Sequence, residues 1–133
     1  MEATARRLYD IGRLGVSQRP SVALDALNDD MTVRSRRARL WPQTEWLKAA
    51  LILAESAEDG AREILLADAA AALRAVWLYL TPEGLWRDKR LPDGTFIDEP
   101  APASSFYHLL SAFEQLSSTL AILGHDANEI QIS

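Results

Sequence analysis

The chain alternates between apolar runs with helical spacing and short polar breaks. From Trp46 to Ala54, eight of nine residues are apolar, and Lys48 is the exception. A helix apolar nearly all round belongs in the middle of a structure rather than on its surface. The pattern predicts this helix near 42–57. Trp41-Pro42 opens it, because a proline at the first helical position gives up only an N–H that would go unpaired there. "AEDG" at 57–60 closes it.

Three more helices are predicted. Near 2–14, Ala5, Leu8, Tyr9 and Gly12 share one face and arginines the other, with Gly12 and Gly15 at a fraying end. A long alanine-rich segment near 61–80 has strong helix propensity, with Arg62, Glu63, Asp68 and Arg74 giving it a partly solvated side. A fourth runs near 103–123, after "PAPASS", and Gly124 is its expected stop. Residues 124–133, with an exposed His125, read as a loose tail of a single domain, 1–133. Two hairpins fill the gaps. The first lies near 22–34 about a "NDD" turn, the second near 85–97 about "PDG".

Helix, glycine stop, hairpin and proline-led apolar helix therefore occur twice, at a spacing of about 61 residues. Trp41-Pro42 aligns with Ala101-Pro102. The pattern describes two stacked αα units, each with an inner helix and a hairpin over that helix's N-terminus. Two units alone would leave the inner helices poorly covered. Self-association, or association with further repeats, is expected on that ground.

Composition narrows the function classes. At 133 residues the chain suits one domain. The net charge of −5 falls entirely in the second half: nine basic and nine acidic residues occupy 1–60, five and ten occupy 61–133. Such a balance offers no general attraction to nucleic acid or to anionic membranes. The absence of cysteine excludes disulfides and thiolate metal sites. No stretch has the apolar length of a membrane span, and "MEATARRLYDIG" lacks a signal-type apolar core, so a cytoplasmic location is expected.

Two residues carry candidate chemistry. His108 has small or polar helical neighbours, Ser104, Ser111, Ala112 and Gln115, while Phe106, Leu109, Leu110 and Phe113 form an apolar stripe that points elsewhere. It faces something polar, which is either solvent or a site. Imidazole is the side chain that exchanges protons near neutral pH without tuning. Glu45 lies in the first turns of its helix, where the backbone dipole alone favours a carboxylate.

"RLWPQTEWLKA" at 39–49, "GLWRD" at 84–88 and "DEPAPASSFYHLL" at 98–110 occur in order and at sensible distances. Together they resemble the C-terminal part of the N-acylglucosamine 2-epimerase family, which includes mannose isomerase and other aldose–ketose isomerases. The resemblance covers nearly the whole chain but only about the last third of a family member. It implies an all-α fold, part of an (α/α)6 barrel or toroid, with about four main helices and two short hairpin insertions. It implies proton transfer at C2 of an open-chain aldose through an enediolate. The sugar would be of mannose type or an N-acylhexosamine, with or without phosphate.

On this resemblance His108 occupies the place of a family histidine and acts as general acid/base. Glu45 bonds sugar hydroxyls or orients His108. Trp41 is a platform for the sugar ring or a packing residue, and Arg39 and Gln43 also line the site. No cofactor and no metal are implied.

"RSRRAR" at 34–39 reads as a solvated hairpin edge, a grip for a sugar phosphate, or, least of all, a nucleic-acid contact. The earlier repeats of a full-length member supply a second histidine and further substrate contacts that this chain lacks. Hence the chain is expected to be inactive alone, as a fragment, a truncated product or one part of an assembly. The alternative is a non-catalytic helical interaction module, the remnant of such an enzyme.

Overall fold

The computed structural model describes residues 1–132, and side chains as far as Gly124. Four helices dominate: α1 (Glu2–Arg13), α2 (Leu40–Ser56), α3 (Asp59–Trp77) and α4 (Ser104–Ile132). Short strands lie between them: β1 (Ala26–Leu27), β2 (Val33–Ser35), β3 (Ala38–Arg39) and β4 (Lys89–Arg90). The fold is all-α with two small antiparallel sheets.

As the apolar run from Trp46 to Ala54 predicts, α2 is the central helix, packed between α3 and α4. Leu40, Leu47, Ala50, Leu51 and Ala54 are buried along it, and Leu65, Ala69, Ala72, Ala75 and Val76 meet them from α3. Full burial of a Leu or Val side chain contributes about 1.5–3 kcal/mol, so this layer is the main source of stability. The α2–α3 link is only two residues long, so the helices run antiparallel. Arg62 donates to the carbonyls of Ala54 (3.1 Å) and Glu55 (3.4 Å) and so closes the C-terminal end of α2.

Several expectations change in three dimensions. Asp68 lies on the inward side of α3, not on a solvated one. Its Oδ2 accepts from Tyr9 Oη, from Trp46 Nε1 at 3.0 Å and from Arg13 Nε at 2.8 Å. This carboxylate ties α1, which has no buried residue of its own, to α2 and α3. The apolar stripe of Phe106, Leu110 and Phe113, whose spacing named a face without naming its cover, does not face the core. All three are exposed, and α4 meets the core through Ser105, Leu109, Ala112 and Thr119 instead. The reason is that α4 has α2 on one side only. The helix also passes through Gly124 to Ile132 instead of stopping there. The expected tail includes His125, whose side chain lies outside the described residues.

Both hairpin turns form, and they are built alike. Thr32 donates its N–H (3.0 Å) and hydroxyl (2.5 Å) to Asp30, and Thr95 does the same to Asp93 (2.9 and 2.6 Å). Met31 (φ 66°) and Gly94 (φ 89°) hold the left-handed position in each turn. These equivalences put the internal repeat at 63 residues, not 61, the same separation as Glu45 and His108. Unforeseen was a pairing between repeats. β3 joins β4, Ala38 opposite Arg90 and Arg39 opposite Lys89, and so links the segment entering α2 to the second hairpin.

Candidate functional site

Helices α2 and α4 run parallel. Their side-chain contacts climb both helices together, from Glu45–His108 through Lys48–Ser111 to Glu55–Gln115. Their N-termini therefore lie at one end of the molecule, beneath the hairpins. Leu40 N–H bonds the Asp88 carbonyl (2.9 Å), which pins the start of α2 to the segment leading to α4.

On α2, Trp41, Glu45 and Lys48 fall on one face at i, i+4, i+7 spacing. On α4, His108 and Ser111 answer Glu45 and Lys48 at repeat-equivalent positions. His108 Nδ1 lies 2.9 Å from Glu45 Oε1. Lys48 Nζ reaches the same oxygen at 2.8 Å and donates to Ser111 Oγ at 3.3 Å. The rings of Trp41 and His108 are tilted at 38°, with centroids 6.1 Å apart.

The cluster is half-open: the Glu45 and His108 side chains are 40% and 38% exposed. Burial works against ionisation of Glu45. Hydrogen bonds from Lys48 and then His108, with their charges, outweigh it and hold the carboxyl below the usual range. A carboxylate on Nδ1 fixes the tautomer with the proton there, which frees Nε2 as a base. Among the described residues, neither His108 Nε2 nor Glu45 Oε2 has a hydrogen-bond partner. The site thus holds one free proton acceptor on an imidazole and one free carboxylate oxygen beside an exposed indole. This set suits proton transfer next to a hydroxyl-bearing substrate.

A family model described as N-acylglucosamine 2-epimerase (GlcNAc 2-epimerase) matches residues 1–112. The chain belongs to this epimerase family. It is also similar to mannose-6-phosphate isomerase of Rhizobium meliloti (strain 1021), with 48% identity over 119 residues. That alignment covers 87% of this chain and 31% of the relative, so the chain spans about a third of the relative's length. No solved structure matches. An isomerase or epimerase lineage follows from the two matches together.

The remaining residues expected at the site divide. Trp41 is 42% exposed beside His108. Gln43 belongs to the core of this epimerase-family segment. It is fully buried, accepts from Ala23 N–H (2.8 Å) and donates to the carbonyls of Ala23 (2.8 Å) and Arg39 (2.8 Å). With both ends of its amide occupied, it anchors the chain after α1 to the start of α2. Arg39 bonds Asp25 through both its backbone N–H (2.9 Å) and its Nε (3.3 Å), and its side chain is 43% exposed. Arg34, Arg36 and Arg37 are exposed at the hairpin edge, in keeping with the solvated reading of "RSRRAR".

A largely apolar cavity of about 560 Å³ opens between α1 and α2. Trp41 and Glu45 line it with Leu8, Tyr9 and Trp46, whereas His108 is not part of its wall. No described helix is long and apolar enough to cross a membrane. Sequence reasoning missed Lys48 as a site residue. The signal was its isolation as the one polar residue in the run from Trp46 to Ala54, three positions after Glu45.

Proposed function

We propose that this chain supplies part of the active site of a sugar isomerase or 2-epimerase, within an (α/α)6 barrel completed by further helices. His108 exchanges the C2 proton of an open-chain aldose through Nε2. Glu45 holds the imidazole through Nδ1 and offers Oε2 to a sugar hydroxyl, and Trp41 forms a wall for the substrate. The carrying observation is the 2.9 Å contact between His108 and Glu45. Both sit near helix N-termini, whose dipoles favour the negative charge of an enediolate.

The substrate is an aldose of mannose type or an N-acylhexosamine. The name of the relative, mannose-6-phosphate isomerase, favours a phosphorylated hexose. The exposed apolar side chains on α4 and along the α1–α2 cavity mark where the covering helices pack, whether from the same polypeptide or from copies of this one.

The test grafts this chain in place of the matching segment of the Rhizobium meliloti isomerase. Proton exchange at C2 is then followed by NMR in deuterated water. Mannose, mannose 6-phosphate and N-acetylmannosamine are compared, with and without His108→Asn. Exchange that depends on His108 is the expected result. A folded chimera whose exchange is indifferent to His108 would leave the chain as a helical packing module.

A further inference from the structure

Glu45 takes its bonds from Lys48 of α2 and His108 of α4 on a single oxygen, Oε1. We infer that Lys48 is the positioning residue of the site. It clamps Glu45 Oε1 so that one carboxylate oxygen orients His108 while the other is turned toward substrate. The inference rests on the proposed proton-transfer role of His108 and deepens it.

The geometry is specific. Lys48 Nζ sits 2.8 Å from Glu45 Oε1 and 3.3 Å from Ser111 Oγ, so it is itself held from α4. Its side chain is 21% exposed, well below the 40% of Glu45, which makes it the inner member of the cluster. With one donor alone on Oε1, the carboxylate could rotate about its terminal torsion, which is broad for Glu. Two donors converging on one oxygen from different directions remove that freedom. The positive charge also compensates Glu45 inside the half-buried cluster, where an unpartnered carboxylate would be driven toward protonation. A protonated Glu45 would be a weaker, uncharged acceptor for Nδ1–H and could itself donate to Nδ1, so the tautomer of His108 would cease to be fixed. Among the described residues, the charged groups that act on this carboxylate are Lys48 on its own helix and His108 on α4.

Lys48 and Ser111 occupy the same repeat position, as do Glu45 and His108, each pair 63 residues apart. The site is thus two adjacent rungs of one α2–α4 ladder, the lower pair reacting and the upper pair bracing it.

The experiment uses the chain itself, labelled with ¹³C at Glu side-chain carboxyls and ¹⁵N at histidine. The variants are Lys48→Met, which keeps length without charge, and Lys48→Arg, which restores a donor. In Lys48→Met the Glu45 carboxyl should titrate at higher pH, and the ¹⁵N shifts of His108 should move from the Nδ1–H tautomer toward a mixture. Lys48→Arg should recover both signatures in part. In the grafted isomerase, Lys48→Met should lower kcat by about 10- to 100-fold with little change in KM, the scale of loss for about 1 Å of misplacement.

A Glu45 titration and a His108 tautomer unmoved by Lys48→Met would overturn the inference. So would an unchanged kcat in an active graft. A graft inactive before any substitution would instead count against the reading of the site, and the carboxyl and tautomer signals would still decide whether Lys48 positions Glu45.

Discussion

Asp68→Ala should detach α1 from the rest of the molecule. The helix buries none of its own residues, so few apolar contacts hold it. Its polar anchorage is concentrated on Asp68 Oδ2, which takes Tyr9 Oη and Arg13 Nε from α1 and Trp46 Nε1 from α2. Trp46 is only 7% exposed, so its orphaned indole N–H would cost about 1–3 kcal/mol. The Arg13 pair is half open to solvent on the arginine side, so its loss adds no more than about 1 kcal/mol. Tyr9 is partly exposed and can recover a water. Together these terms give a destabilisation of about 1–4 kcal/mol, centred on α1. Arg13 also stacks over the Trp46 ring at 5.3 Å, so the indole should report the change by fluorescence.

Urea unfolding at fixed protein concentration measures the total, and amide exchange shows where it falls. The α1 amides should lose protection first, while those of α2 and α3 keep theirs. Asp68→Asn retains an acceptor and should cost less than half as much. A loss below about 0.5 kcal/mol with α1 protection intact would refute the hub, because surface substitutions away from special features stay within that range.

In the grafted isomerase, His108→Asn should reduce C2 proton exchange by about 10²- to 10⁴-fold with the fold intact by circular dichroism, and Glu45→Gln should reduce it less; a larger loss for Glu45→Gln would reverse their roles. Because the Glu45 carboxyl is held below its ordinary value of 4.5, its bonds stabilise the fold above that pH, and the contribution disappears as pH falls through the lowered value. Glu45→Gln should therefore flatten the acid limb of a stability–pH curve, and an unchanged limb would show that the cluster is energetically silent. The isolated chain should self-associate through the exposed Phe106, Leu110 and Phe113 of α4 and the α1–α2 cavity; a stable monomer at high concentration by light scattering would exclude this.

Much of the fold was legible along the chain because its signals are local. The run from Trp46 to Ala54 can be accommodated only by burial on most sides, and α2 is the central helix. The prolines, the "NDD" and "PDG" turns and the alanine-rich segment each act within a few residues, so helix existence and hairpin placement follow from them. The family resemblance pointed to His108, Glu45 and Trp41 as one site, and the helix register brings them together.

What only the tertiary structure decided depends on which helix lies beside which face. Asp68 and Arg62 look like solvent-facing charges in a helical pattern, yet one anchors α1 and the other closes α2, because neighbours remote in sequence supply their partners. Gln43 follows Trp41 in the same motif, but the turn of the helix directs it to Ala23 and the core. The Phe106 stripe has the spacing of a core face and remains exposed, since helical periodicity names a face without naming what covers it. Lys48 is the clearest case. A lone lysine in an apolar run is locally unfavourable, and its place is explained only once Ser111 and Glu45 converge on it, which requires α2 and α4 to lie parallel at the 63-residue register.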